Sequence, residues 1–281
     1  MKKVVFLLMI AALSLGTGIL LAEGESWENP PVKKNLTVVL SFDLEVPEGI
    51  NNLPWILKTL ENHSARATFF VTGEMARRYP GEIQLLVEKG NSVGSHGNYH
   101  EYPIFSKKGA IALSLYSGRS FNYIWKRSTK TVEDFRIALI RSRKALYKAT
   151  GRYPVMYRSP ILTPSVTRNM SYLKVLKETG FKIDSSLLRR YMDIKKPVVN
   201  MDGIVEVPPS ISDGSFTNIK MCLNSAEYHA RMGYPFVIYM HPWKFTGQEH
   251  RESFLKLISD LEKKYNVKYM RVDDVAVNYS R

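Results

Sequence analysis

The sequence predicts an α/β protein, a closed or nearly closed barrel of parallel strands wrapped in helices. Three observations carry that expectation. β-rich runs and helical patterns alternate about seven times after residue 36. Nearly every polar residue suited to chemistry stands at the C-terminal end of a β-rich run, where a parallel barrel would gather such groups at one mouth. The 281 residues also suit one barrel of roughly 250 residues better than several small domains. With 44% hydrophobic and 23% charged residues, the chain has the composition of a folded domain with a sizeable core.

The first element, residues 1–23, is a hydrophobic leader: Lys2 and Lys3 precede an apolar run from Val4 to Ala22. A run of that length serves as a signal peptide or a membrane anchor, and either places the rest of the chain outside the cytoplasm. Leu20 and Ala22 make a poor cleavage site, which favours an uncleaved anchor with its lysines inside. Residues 24–35, with Pro30 and Pro31, read as a linker. A single catalytic domain, 36–281, follows.

Its elements come in order. LTVVLSFDLE is the first strand, followed by a helix near Leu53 to Asn62, the strand ARATFFVT, a helix near Glu82 to Lys89, and NSVGSH. A helix over Thr131 to Ala149 has a Thr131/Asp134 start signal and Gly151 as its stop. PVMYRSP, a helix from Ser171 to Thr179, FKIDSS, DGIVEVPPS, PFVIYMHPW, a helix near Arg251 to Lys264 and VKYMRV complete the domain. The aromatic-rich stretch between His100 and Thr131 is too long for an ordinary strand-to-helix connection. It is either a flap over a groove, with aromatics that stack on sugar rings, or a segment whose Phe121, Tyr123 and Trp125 pack on the barrel.

Cys222 is the only cysteine, so no intrachain disulfide can form. The net charge of +14 would attract polyanions, yet its lysines and arginines are scattered through helices and no nucleic-acid motif accompanies them. Nucleic acid is therefore not an expected partner. The oligomeric state leaves no mark in the sequence.

Asp43 and Glu45 end the first strand two residues apart, and a strand points such a pair to one face. One carboxylate can then bind a cation while the other acts as a base. His96 and His100 follow the third strand. An H-x3-H spacing alone is as often two hydrogen-bonding histidines as a ligand pair. A carboxylate at a neighbouring strand end favours metal, because two histidines and one carboxylate leave positions open for water and substrate. Arg158, just beyond an apolar strand, is of a kind that more often serves as a structural ion-pair partner than as a catalyst, and an arginine bound to Asp43 would fill both roles by holding that acid ionised. His241, between an apolar strand and Pro242, is placed to give a proton to a leaving group. His63, His229 and His250 lack such placement and read as surface residues.

The chain resembles the polysaccharide deacetylases of carbohydrate esterase family 4, the NodB homology domain. The resemblance rests on SFDLE, on ATFFVTGEMARRYPGEIQLLVEKGNSVGSHGNYH, on YRSP, on FKIDSS and on YMHPW. It implies a distorted (β/α)7 barrel and metal-dependent removal of acetyl groups, chiefly N-acetyl, from an extracytoplasmic polysaccharide. His96 and His100 would bind the metal, usually zinc or another divalent ion such as Co2+. Asp43 would be the base, Arg158 its partner and His241 the acid. Two departures stand out. Leu44 occupies the place of the family's usual third ligand, so Glu45 is taken as its substitute. Leu187 and Leu188 fall where the family has an Asp-Trp pair that tunes the acid, which leaves the nearby Asp184 as a possible site residue and the acid's orientation unexplained. Hydrolysis of cyclic amides at the same metal site, and membrane-tethered glycan binding without catalysis, are the alternative functions.

Overall fold

A computed structural model describes residues 33–280. The leader, 1–23, and most of the linker lie outside the described residues. Among the described residues no helix is long and apolar enough to cross a membrane.

The described residues begin with β1 (Lys34–Leu44), which enters two residues inside the expected linker, and α1 (Leu53–Asn62). It continues through β2 (Ala67–Val71), α2 (Gly73–Arg78), α3 (Pro80–Glu88) and β3 (Ser92–Ser95). Next come α4 (Lys107–Ser117), α5 (Phe121–Arg127), α6 (Val132–Thr150) and β4 (Met156–Tyr157). After α7 (Ser171–Glu178) the chain forms β5 (Ile183–Asp184), β6 (Val199–Met201), β7 (Ile204–Glu206) and β8 (Ile211–Ser212). It ends with α8 (Ile219–Met232), β9 (Phe236–Met240), α9 (Gln248–Lys264), β10 (Tyr265–Tyr269) and α10 (Val272–Tyr279).

The expected helices form where their signals stand. Thr131 caps α6 by accepting from the Asp134 N–H at 3.0 Å, and Gly151, at φ 71°, closes it in the left-handed conformation that glycine tolerates. Five of these helices, α2, α4, α5, α8 and α10, have no counterpart among the expected ones. In α8 the buried stripe is Cys222, Ala226 and His229, too small and polar to stand out as an apolar period.

One sheet runs in the order β6-β7-β5-β4-β3-β2-β1-β9-β8, with β10 beside the first half of β1. Every neighbouring pair is parallel except β6 with β7. Strand alternation sorts side chains to its two faces. On β1, Val38, Leu40, Phe42 and Leu44 enter a large cluster with the helices, as do Phe69 on β2 and Phe236, Ile238 and Met240 on β9. The other face sends Val39, Phe70, Met156, Ile183 and Val237, from five strands, into one inner cluster. Only a curled sheet lets one face of five strands pack together, and the result is the expected distorted (β/α)7 barrel, open between β6 and β8.

The same parity fixes the site. With Val39 inward, Ser41, Asp43 and Glu45 follow on the inner side; with Val237 inward, so do Tyr239 and His241. On β3, Gly94 pairs with Phe70. A Cβ at Gly94 would lie 2.8 Å from the Phe70 ring and 3.1 Å from Met156 Cβ. Gly94→Ala must displace that ring, and overpacking of this kind costs about 1–3 kcal/mol. Urea unfolding of the variant measures it, and a change below 0.5 kcal/mol would show that the ring has room to move.

Candidate metal centre and proton-transfer groups

His96 directly follows β3, and the turn after it is built for the second histidine. Gly97 has φ 81° and His100 φ 61°, so the chain folds back sharply between the two rings. The Glu101 carboxylate accepts from the Asn98 and Tyr99 N–H groups at 2.8 and 2.6 Å, and the Gly97 and Asn98 carbonyls accept from the first residues of α2. The H-x3-H segment is thus a hydrogen-bonded loop.

Three donor atoms, from Glu45, His96 and His100, lie within 4.8 Å of one another. Glu45 Oε2 is 2.6 Å from His100 Nε2 and 3.5 Å from His96 Nε2. His96 is 1% exposed, and its Nδ1 stands 2.9 Å from the Arg158 carbonyl oxygen. A carbonyl only accepts, so Nδ1 carries the proton, and in the neutral ring Nε2 presents a lone pair towards Glu45. Two acceptors facing each other in a buried place are reconciled by a shared cation. The set is also chemically apt: two imidazoles and one carboxylate suit zinc and related divalent ions, and the hydrogen bond from His96 Nδ1 to the Arg158 carbonyl orients the first imidazole. Burial pushes the His100 pKa below its ordinary value. Burial would raise that of Glu45, but the imidazoles bonded to it hold its carboxyl well below the usual range. Glu45 therefore sets a carboxylate charge against the two imidazoles, the place where a cation would be held.

Asp43, 3% exposed, and Arg158, 0% exposed, form an ion pair at 3.0 Å. Arg158 Nη1 also donates to Ser41 Oγ at 2.9 Å, Nε to the Ser185 carbonyl at 3.0 Å and Nη2 to Ser185 Oγ at 2.8 Å. Its guanidinium lies 4.2 Å from the centre of the Phe70 ring. The pair joins β1, β4 and the end of β5.

His241 Nδ1 lies 3.0 Å from Asp213 Oδ2, and the His241 N–H donates to the same oxygen at 2.8 Å. Lys244 donates to Asp213 Oδ1 at 2.8 Å. Burial would lower the His241 pKa, but the Asp213 carboxylate raises it above the ordinary value. Asp213 orients the ring, with Nδ1 protonated and Nε2 left for exchange. The sequence reading missed this residue, although it ends the short strand β8 as the other acids end theirs.

Asp184 is elsewhere. It is fully buried, accepts from Tyr172 Oη and Ser186 Oγ at 2.5 Å each, and neighbours Glu206. Burial pushes it up to about 6, and burial with the Asp184 charge pushes Glu206 well above its usual value. The pair is part of the core behind Ser185. Two expected surface histidines are also corrected. His229, 3% exposed, bonds Ser210 Oγ and the Ser225 carbonyl because it continues the inward stripe of α8. His250 is partly buried, with Nε2 3.9 Å from Asp213.

The long stretch after His100 forms α4 and α5. Phe121 and Trp125 stack on each other at 6.1 Å and pack against the buried Tyr102, Ile104 and Ile124. Tyr123 instead lines an open groove of about 580 Å³ with Glu45, His100 and Trp243.

The profile of the polysaccharide deacetylase family matches residues 31–183. A peptidoglycan-N-acetylglucosamine deacetylase of Listeria monocytogenes is 28% identical over 159 residues, which are 57% of this chain and 28% of that protein. A peptidoglycan-N-acetylmuramic acid deacetylase of Bacillus subtilis is 26% identical over 149 residues, 53% of this chain and 46% of that protein. The chain thus matches less than half the length of either relative. Among solved structures, a putative polysaccharide deacetylase from Mycobacterium smegmatis superposes with a TM-score of 0.69 at 21% identity, covering 89% of this chain and 92% of the other.

Proposed function

Because the chain belongs to the polysaccharide deacetylase family, we propose that it hydrolyses N-acetyl groups of an extracytoplasmic polysaccharide at a divalent-metal site. The observation that carries the reading is the meeting of Glu45, His96 and His100 beside an arginine-held Asp43. The peptidoglycan deacetylases among its relatives and the hydrophobic leader support a substrate outside the cytoplasm.

Glu45, His96 and His100 would hold the ion, zinc or a similar divalent metal. Once bound, it supplies Lewis-acid polarisation of the acetyl carbonyl and a lowered pKa for water. Asp43, oriented by Arg158, takes the proton of the attacking water. The developing oxyanion also needs a hydrogen-bond donor, and the Ile161 N–H is the candidate; Ile161 and Leu162 sit at φ 53° and 47°, a strained conformation for bulky residues of the kind that active sites retain. His241 then gives the Nε2 proton to the departing nitrogen as the C–N bond breaks, leaving acetate and a free amine.

Acetate release from an N-acetylated oligosaccharide by metal-loaded protein tests the reading. His241→Ala should lose roughly 10²- to 10⁴-fold in turnover while keeping its metal, since that is the usual worth of leaving-group protonation. Asp213→Asn should lose less and change the pH profile. The proton that His241 must donate is lost as pH rises through its raised pKa, so removing the Asp213 charge moves the alkaline limb of kcat/KM to lower pH. The same shift makes His241 a source of stability that is full below its unfolded pKa and lost as pH rises through the folded one. Faster cleavage of a cyclic imide than of acetyl-glycan would favour the cyclic-amide activity. Absence of both activities and of bound metal would leave only glycan binding.

A further inference from the structure

The residues from Tyr102 to Val132 carry six cations, Lys107, Lys108, Arg119, Lys126, Arg127 and Lys130, and not one carboxylate. This stretch, α4 and α5 with their flanks, forms one wall of the groove beside Glu45 and His100, and two of its arginines line that groove. Both meet on a single ring: the Arg119 and Arg127 guanidiniums lie 4.9 and 4.8 Å from the centre of Tyr123. Arg119 Nη1 also donates to Tyr123 Oη at 2.6 Å.

Two like charges on one exposed tyrosine repel each other unless an anion joins them, and no ion pair among the described residues engages either arginine. Three of the nearby acids have partners of their own. Glu45 belongs to the metal ligand set, Glu74 pairs with Arg78 at 3.5 Å, and Glu101 holds the histidine loop. Glu48 lines the groove, and among the described residues no ion pair engages it and no bond joins it to either arginine. A second groove of about 880 Å³ shares Tyr99, Tyr123 and Arg127 with the first and adds Lys126, Lys130 and Arg141. Its further acid, Asp134, accepts from the Thr131 hydroxyl at 2.7 Å. A basic path with tyrosine faces therefore leads away from the metal ligands. Overall charge alone would not require this, because lysines and arginines spread over helices serve solubility.

We propose that Arg119 and Arg127, mounted on Tyr123, select a glycan that bears carboxylates, binding an acidic sugar next to the N-acetylated residue in the active site. Planar guanidiniums pair with carboxylates through two parallel hydrogen bonds, and the tyrosine ring offers a stacking face to a sugar. The inference rests on the deacetylase reading for the position of the acetylated sugar, but the anion site stands on its own geometry.

The test uses the full chain in a His241→Ala background, so that turnover does not consume the ligand. Its dissociation constant is measured for an oligosaccharide alternating N-acetylglucosamine with glucuronic acid, and for the same oligosaccharide with its carboxyls reduced to alcohols. The acidic form should bind at least tenfold tighter at low salt. Arg119→Gln and Arg127→Gln should each remove about threefold of that preference, as expected for partly solvated pairs, and the double variant should bring the ratio near one. Lys58→Gln with Lys256→Gln, which removes equal charge from helices outside the groove, should leave the ratio intact. Equal affinity for the two forms, no binding of the acidic form, or a ratio that follows net charge in the control variant would overturn the proposal. Acetate release by the wild-type chain is assayed separately. Release with a ratio near one sinks the anion site alone, whereas selective binding without release from either glycan supports the anion site and counts against the deacetylase reading.

Discussion

Arg158→Met should lower the unfolding free energy by about 3–5 kcal/mol and remove most acetate release, the largest stability effect expected of a single substitution here. Methionine keeps much of the stem that packs on Phe70 and deletes the charge. Asp43 is then a buried carboxylate without its counter-ion, and the hydroxyls of Ser41 and Ser185 and the Ser185 carbonyl lose their donor together. Breaking a buried pair from one side is costly because the remaining charge stays desolvated. Arg158→Lys restores a charge but cannot reach Asp43, Ser41 and Ser185 at once, so it should recover only part of the loss. A double-mutant cycle with Asp43→Asn separates the pair from general packing. If Arg158→Met unfolds in urea within 1 kcal/mol of wild type, or if the two substitutions simply add, the pair does not organise the site.

The reason this arginine matters so widely lies in where it stands. Its side chain holds Asp43 on β1 while its own carbonyl accepts from His96, so the residue that follows β4 ties the expected base to an expected metal ligand. The sequence made Arg158 visible as a strand-end residue, but the backbone link to His96 has no sequence signal. The same positional rule brought Asp43, Glu45, His96, His100 and His241 into view, because a parallel barrel converts strand ends into neighbours. It was not applied to Asp213. The strand before that residue is only two residues long and lacks an alternating pattern, and a 3₁₀ turn follows it. In FKIDSS, Asp184 also ends a strand but faces Tyr172 and Ser186 within the core. Strand parity separates the two cases only once register is known, since a shift of one residue turns every side chain to the other face. His229 shows the reverse: its spacing from Cys222 and Ala226 puts it on the buried face of α8, and a stripe with so little apolar area is hard to tell from a solvated one.

His100→Ala should abolish metal-dependent stabilisation while leaving the fold nearly as stable as the metal-free wild type. The two histidines differ in what else they support. His96 is buried and donates to the Arg158 carbonyl, so its removal disturbs the Asp43 pair and lowers stability as well as metal affinity. His100 has its side chain 15% exposed and gives its only described hydrogen-bonding contact to Glu45, which makes it the cleaner probe. A ligand that binds only the folded state stabilises it by RT ln(1 + [L]/Kd), about 2.7 kcal/mol at a hundredfold excess over Kd. Wild type should gain that amount when zinc is added to protein stripped with a chelator, and His100→Ala should gain almost nothing. Activity should fall in parallel, by roughly 10³-fold or more, because water and carbonyl activation go with the ion. The zinc-dependent gain should itself shrink as pH falls, since protons compete for the imidazoles and for Glu45. A His100→Ala protein that still takes up one zinc with wild-type affinity would show that Glu45, His96 and His100 do not share an ion, and the proposed hydrolysis would lose its metal site.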